Sequence, residues 1–247
     1  MSEKVVLDFT HTYTKEDFPE EWDMVWEDCS AITGTNCYCD EDAQTLLRQR
    51  LAPYNATGIH FIDSGNYHYL SKLWAEKIQE PFSLVVYDHH FDMQLPRFEG
   101  VLSCGGWIRT LLEESQWLEH VYIVGASSSQ QAQTSGYEDR LFYITEEEAN
   151  LFSQLEKKFF LTRENKIYLS IDKDVLAPTE VHMNWDQGSM TLDNLKRQLR
   201  MIFQEVEVIG VDICGEDPEQ TYAPYIERNK AVNRELCNFL SSYIKIR

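Results

Sequence analysis

The sequence contains no apolar run near the roughly 20 residues that a bilayer-spanning helix needs, which leaves no candidate helical membrane anchor. Its opening, MSEKVVLDFTHTY, lacks the basic segment and long apolar stretch of a secretory leader, so a soluble, cytoplasmic protein is expected, with no membrane partner. Positive charge is scarce. Against 41 Asp and Glu there are 22 Lys and Arg, and the formal net charge of −19 argues against nucleic acid as a partner. Glycine (11) and proline (7) are few, and no linker, repeat or low-complexity tract breaks the chain, so residues 1–247 are expected to form one domain. Six cysteines are too sparse for a disulfide scaffold in 247 residues, and reduced thiols are the expectation. Neither G-x-G-x-x-G nor a P-loop occurs, so a nucleotide cofactor has no support.

What the chain does have is core material: 43% hydrophobic and 13% aromatic residues, more than acidic disordered chains carry. Short β-rich runs recur at 4–9, 58–63, 83–88, 120–126, 166–172 and 206–213. Between them the spacing suggests helices over 41–51, 67–79, 106–114, 146–160, 192–204 and 223–244, with Leu192, Leu195, Leu199 and Ile202 on one helical face. Repeated βα units of this kind predict an α/β fold, a three-layer α/β/α sandwich around a mostly parallel sheet. Acidic residues concentrate in 16–28 and 138–148, where a solvated surface is expected.

Three strand ends carry the chemistry. In LVVYDHHFDMQ, Asp88, His90 and Asp92 alternate, and residues two apart point the same way while the chain is extended. Ligands of open α/β sheets bind beyond such carboxyl ends. In KIYLSIDKDVLAP, Asp172 and Asp174 alternate at another strand end, where two ionised carboxylates repel each other unless a cation sits between them. With Asp88 and Asp92 they carry four negative charges, which two divalent cations neutralise. Oxygen and imidazole donors suit Mn first, with Fe, Zn, Co or Ni also compatible, and argue against a thiolate site. In HFIDSGNYHYLS, His68 alone reads as a structural histidine, but with the other segments it completes a set of two histidines and four aspartates.

D-x-H-x-D at 88–92, S-x-D-x-D-x-x-x-P at 170–178 and G-N-Y-H at 65–68 together resemble the arginase/agmatinase (ureohydrolase) superfamily, whose corresponding motifs are DAHxD, SxDxDxxDP and GGDHS. The motifs fall in the family's order, and the resemblance from Gly58 to Pro218 spans roughly two thirds of the chain. It implies an arginase-like fold and two Mn2+ ions, one held by His68, Asp88, Asp92 and Asp172, the other by Asp88, His90, Asp172 and Asp174, with Asp88 and Asp172 bridging. It further implies hydrolysis of a guanidino C–N bond with release of urea, a metal-bridging hydroxide being the nucleophile. The substrate would be a cationic guanidino small molecule such as arginine, or an arginine side chain within a peptide.

The chain also departs from the family pattern. In Asp212-Ile213-Cys214-Gly215-Glu216-Asp217-Pro218, Gly215 stands where the family has a guanidinium-pairing Glu, and Glu216, one residue later, is the candidate substitute. The family's proton-shuttle histidine has no equivalent in Leu102-Ser103-Cys104-Gly105-Gly106, which leaves His11 and His89 as candidate acid–base groups or structural histidines. Lys173, between the two aspartates, reads as an outward-facing surface lysine. Cys37 and Cys39 precede Asp40, which is expected to cap a helix, and no base partner for Cys104 can be placed. The opposing reading is a non-catalytic metal-binding or regulatory member of the same fold.

Overall fold

Apolar runs at 58–61 and 82–87 fold as strands whose every residue is buried, the mark of a sheet covered on both faces. The computed structural model describes residues 3–16, 23–150 and 166–244. Its strands are β1 (Glu3–Asp8), β2 (Val25–Asp28), β3 (Tyr38–Cys39), β4 (Gly58–Phe61), β5 (Phe82–Tyr87), β6 (Leu102–Ser103), β7 (Leu118–Ala126), β8 (Leu141–Thr145), β9 (Lys166–Asp172) and β10 (Glu207–Cys214). Its helices are α1 (Thr12–Lys15), α2 (Glu41–Leu51), α3 (Leu70–Ala75), α4 (Trp107–Glu114), α5 (Glu146–Ala149), α6 (Leu192–Glu205) and α7 (Ala223–Ser241). Eight strands form one sheet in the order β2-β1-β4-β10-β9-β5-β7-β8, and each neighbouring pair is parallel. A short antiparallel pair, β3 with β6, lies apart from it.

Alternation along the strands divides the core into two layers. Leu84 and Val86 of β5 join a cluster with Leu47, Trp74, Trp107 and Leu111 from α2, α3 and α4. Val85 and Tyr87 join the opposite cluster, with Leu195 and Leu199 of α6 and Leu236 and Leu240 of α7. The expected sandwich is therefore present. Asp40 caps α2 by accepting the Ala43 amide at 2.8 Å, and Glu41, Asp42, Arg48 and Arg50 complement the helix dipole at either end. Between 65 and 79 the helix is shorter than its spacing suggests: a 3-10 turn over Gly65–Tyr67 precedes α3. The expected helix over 146–160 begins as α5, and its residues 151–160 lie outside the described ones, as do 17–22 of the first acidic run. Among the described residues, no helix is long and apolar enough to cross a membrane.

The last two strands, β9 and β10, insert between β4 and β5, so loops distant in sequence meet at the carboxyl ends of β4, β5 and β9. That edge carries the candidate site.

Candidate metal centre

Asp88 follows β5 directly, Asp172 is the last residue of β9, Asp174 lies in the 3-10 turn after it, and His68 follows the turn after β4. His68 Nδ1 lies 3.2 Å from Asp88 Oδ2, 3.1 Å from Asp92 Oδ2 and 3.5 Å from Asp172 Oδ2. His90 Nδ1 lies 2.8 Å from Asp174 Oδ2 and 3.4 Å from Asp88 Oδ1. Asp88 thus turns one oxygen to each histidine. Asp172 turns Oδ2 toward His68, while its Oδ1 accepts the Asp174 amide at 2.9 Å. All six residues come together, but not on an extended strand as simple alternation suggests. Asp92 adopts a left-handed backbone (φ 50°), a conformation that a non-glycine residue holds only when its surroundings enforce it. The Trp107 indole donates to Asp92 Oδ2 at 2.7 Å, and the Asp92 carbonyl accepts the Ile108 amide at 3.2 Å.

Neighbouring groups orient the cluster. The Ser71 and Ser170 hydroxyls donate to Asp212 Oδ1 at 3.0 and 2.6 Å, so Ser170 is left to accept from His68 Nε2 at 2.9 Å. Nε2 is thereby held by the serine, and Nδ1 is the nitrogen that faces the carboxylates. The His89 amide donates to Asp174 Oδ1 at 2.9 Å. Sequence reasoning assigns no role to Trp107, Ser71 or Asp212. Ser170 and Asp212 sit inside quoted motifs, but nothing in their spacing marks them as supports.

Burial sets the electrostatics. Asp92 is pushed up to about 6, first by burial and then by the charge of Asp88. Asp172 and Asp174 are raised as well, again first by burial. Asp88 is equally buried, yet the His68 and His90 imidazoles beside its two oxygens hold it below the usual carboxylate range. Burial opposes a charged His90, but its bonds to Asp174 and Asp88 push it up to about 12. Imidazolium protons therefore offset carboxylate charge in the cluster, and a cation bound through the same nitrogens would displace them.

The donor set fits divalent cations. His68 with Asp88 and Asp92, and Asp88 with His90 and Asp174, each present ligand atoms within 4.8 Å of one another. Asp88 Oδ2 is buried and makes no hydrogen bond of good geometry. A third set, His68, Asp172 and Cys214, adds a donor that the sequence reading sets aside: Cys214 is buried, and its thiol donates to Asp172 Oδ2 at 3.1 Å. The cluster opens into a cleft of about 230 Å3 lined also by Tyr38, Gln94, Cys104 and Trp185, with no lysine or arginine lining it among the described residues.

The candidate catalytic residues lie elsewhere. Glu216 is fully buried away from the cleft: Lys173 and Asn233 donate to its Oε1, Asn233 at 2.8 Å, and Asn229 donates to Oε2 at 3.3 Å. It is not positioned to pair with a guanidinium in this cleft. Lys173, expected at the surface, is fully buried as its partner, because the 3-10 turn at 173–175 turns it away from the aspartates on either side. Glu16, expected in a solvated acidic run, belongs to the same buried group and accepts from Asn233 Nδ2 at 2.8 Å. No clamp side chain fits at 215 either: Gly215 has φ 98°, and a Cβ there would lie 2.6 Å from Asp172 Oδ1. His11 is half-exposed at the end of β1, bonded to Asp8 at 2.9 Å, and His89 is directed toward Glu146, 3.7 Å away. Neither lines the cleft.

Residues 27–226 match the model of the arginase family. An uncharacterised protein of Thermotoga maritima is 31% identical over 185 residues, covering 74% of this chain and 68% of that protein. Among solved structures, proclavaminate amidino hydrolase from Streptomyces clavuligerus superposes with a TM-score of 0.68 at 15% identity, over 99% of this chain and 92% of that one. Trypanosoma cruzi formiminoglutamase with Mn2+ superposes with a TM-score of 0.67 at 14% identity, over 96% and 94%. Parallel sheet order, converging aspartates and histidines, and the extent of the family match agree: the chain belongs to the arginase family.

Proposed function

We propose that residues 1–247 act as one arginase-like unit that holds two Mn2+ ions and hydrolyses the C–N bond of a cationic guanidino compound. The observation that carries this reading is the convergence of two imidazole Nδ1 atoms on four buried carboxylates with no lysine or arginine lining the cleft among the described residues. His68, Asp88, Asp92 and Asp172 would hold one ion, and Asp88, His90, Asp172 and Asp174 the other. Bound there, the ions supply an acidified, oriented water at neutral pH. The names of the structural relatives, proclavaminate amidino hydrolase and formiminoglutamase, support the reaction class.

The chain's own residues do the rest. Asp212, through Ser170, keeps His68 Nδ1 facing the carboxylates. Trp107 anchors Asp92, and the His89 amide anchors Asp174. Recognition of a flat cation falls to the cleft wall. Trp185, fixed by its indole bond to Asn66 at 2.8 Å and 38% exposed, offers a ring face, and the carboxylates offer charge complementarity. With no glutamate clamp at 215, the pocket suits a guanidinium on a longer substrate, including a peptide arginine.

The opposing reading, a member of the fold that binds metal without turnover, draws on the placement of Glu216 and on a cleft that, among the described residues, is lined by no histidine beyond the candidate ligands. One assay separates the two: urea or amine release with Mn supplied, across arginine, agmatine, other guanidino acids, formiminoglutamate and arginine peptides. Turnover abolished by Asp172→Asn supports hydrolysis. Two bound ions with no turnover on the whole panel refute it.

A further inference from the structure

Two of the six cysteines stand apart from the rest. Cys29, Cys39, Cys214 and Cys237 are fully buried, whereas Cys37 and Cys104 are partly exposed and both line the wall of the cleft. Their placement follows from the small antiparallel sheet. β3 pairs with β6 in the register Tyr38↔Ser103 and Cys39↔Leu102, and one step further along the ladder sets Cys37 opposite Cys104. The Cys104 amide donates to the Cys37 carbonyl at 3.0 Å, so the pairing continues to that step. Residues directly opposite in an antiparallel pair have Cα atoms about 4.5–5.5 Å apart, inside the 4.4–6.8 Å window that a disulfide requires. Each thiol also perturbs the other, Cys104 lowering Cys37 and Cys37 raising Cys104.

We propose that Cys37 and Cys104 are a reversible oxidation site at the cleft mouth, closed to a disulfide by hydrogen peroxide. The Cys37 sulfur, as thiolate, attacks the peroxide; the O–O bond breaks, sulfur is oxidised to the sulfenic acid and one oxygen leaves as water. The Cys104 thiol then displaces the sulfenic hydroxyl as a second water, forming the S–S bond. Two thiols and one peroxide thus give one disulfide and two waters. Cys37 suits the attacking role: it is left-handed (φ 60°), reachable from the cleft, and the neighbouring Cys104 thiol holds it down to about 7. The four buried thiols lack this access, and burial pushes Cys29 and Cys39 up to about 12.

The bond would tie the loop carrying Tyr38 to the turn carrying Gly105, two parts of the wall around the metal ligands. It needs neither a metal nor a substrate, so its test stands apart from the hydrolase reading. The full-length protein is exposed to sub-millimolar peroxide, quenched, alkylated without reductant and examined by intact mass and non-reducing peptide mapping. The expected result is a loss of two mass units, a single linked peptide joining 37 to 104, reversal by dithiothreitol and a higher melting temperature when oxidised. Cys37→Ser and Cys104→Ser should each abolish the linked peptide, whereas Cys237→Ser should retain it. Sulfinic acid on either thiol without linkage, or a disulfide involving a buried cysteine, would overturn the proposal, and the wild-type map alone decides this if a variant does not fold.

Discussion

Lys173→Met should be among the most damaging single substitutions outside the candidate ligands. Lys173 and Glu216 are both fully buried and form an ion pair, with Asn233 bridging them: its Oδ1 accepts from Lys173 at 2.8 Å and its Nδ2 donates to Glu216 and Glu16. Glu16 is raised well above its usual range, first by burial and then by Glu216, which favours its neutral form beside the Lys173–Glu216 pair. Methionine retains most of the apolar stem but removes the cation, leaving Glu216 charged and uncompensated. Breaking such a pair from one side costs about 3–5 kcal/mol. For a chain this long each kcal/mol moves the melting temperature by about 2–4 °C, so the drop should be roughly 6–20 °C at neutral pH. Removing both partners, as in Lys173→Met with Glu216→Leu, should recover a large part of the loss, because no charge is stranded. Urea unfolding at fixed Mn concentration, run on both single variants and the pair, measures the cycle. A Lys173→Met protein within about 1 kcal/mol of wild type, or a pair no better than the single, would refute the buried-pair account. Glu216→Gln serves as the functional control: it should lower stability, whereas a raised KM with stability unchanged would return Glu216 to the substrate.

Three further outcomes follow from the cleft. Gly215→Ala adds a Cβ 2.6 Å from Asp172 Oδ1 at a residue with φ 98°, so metal content measured by elemental analysis should fall together with thermal stability. Asp172→Asn and Asp88→Asn should deplete both ions, whereas His68→Asn and Asp174→Asn should leave about one per chain at moderate Mn, again by elemental analysis. Apparent Mn affinity should rise with pH between 6 and 8: the histidines hold protons that binding must release, and Asp92, pushed up to about 6, gives up its own as the range begins. Isothermal titration in two buffers of different ionisation enthalpy reads the released protons, and an affinity flat across that range would contradict the ligand set.

Much of this was legible because strands buried on both faces leave unbroken apolar runs, as at 83–88 and 166–172, and because each run ends in residues too polar to be core. The edge strands β2 and β8 leave no such mark. Val25–Asp28 is short, half-buried and acidic, and Leu141–Thr145 lies inside a charged stretch. Side-chain direction after a strand is harder still. Lys173 lies between Asp172 and Asp174 in sequence but turns into a different cluster, because a 3-10 turn replaces the period-two alternation there. Glu216 is one residue from the family position, and after a positive φ at Gly215 it lies in the core on Lys173 and Asn233 rather than in the cleft. Cys214 ends β10, where period two does not tell a core thiol from one beside Asp172. The cleft-wall residues Tyr38, Gln94, Cys104 and Trp185 come from separate segments, Tyr38 from β3 and Cys104 from a 3-10 turn, with no shared spacing.

The central claim, two ions shared by one carboxylate-rich cleft, is tested most directly by anomalous diffraction at the manganese edge on crystals grown with Mn. Two peaks about 3.5–4 Å apart are expected, one against His68 and Asp92, the other against His90 and Asp174, with Asp88 touching both. A single peak, or manganese bound away from these residues, would contradict it.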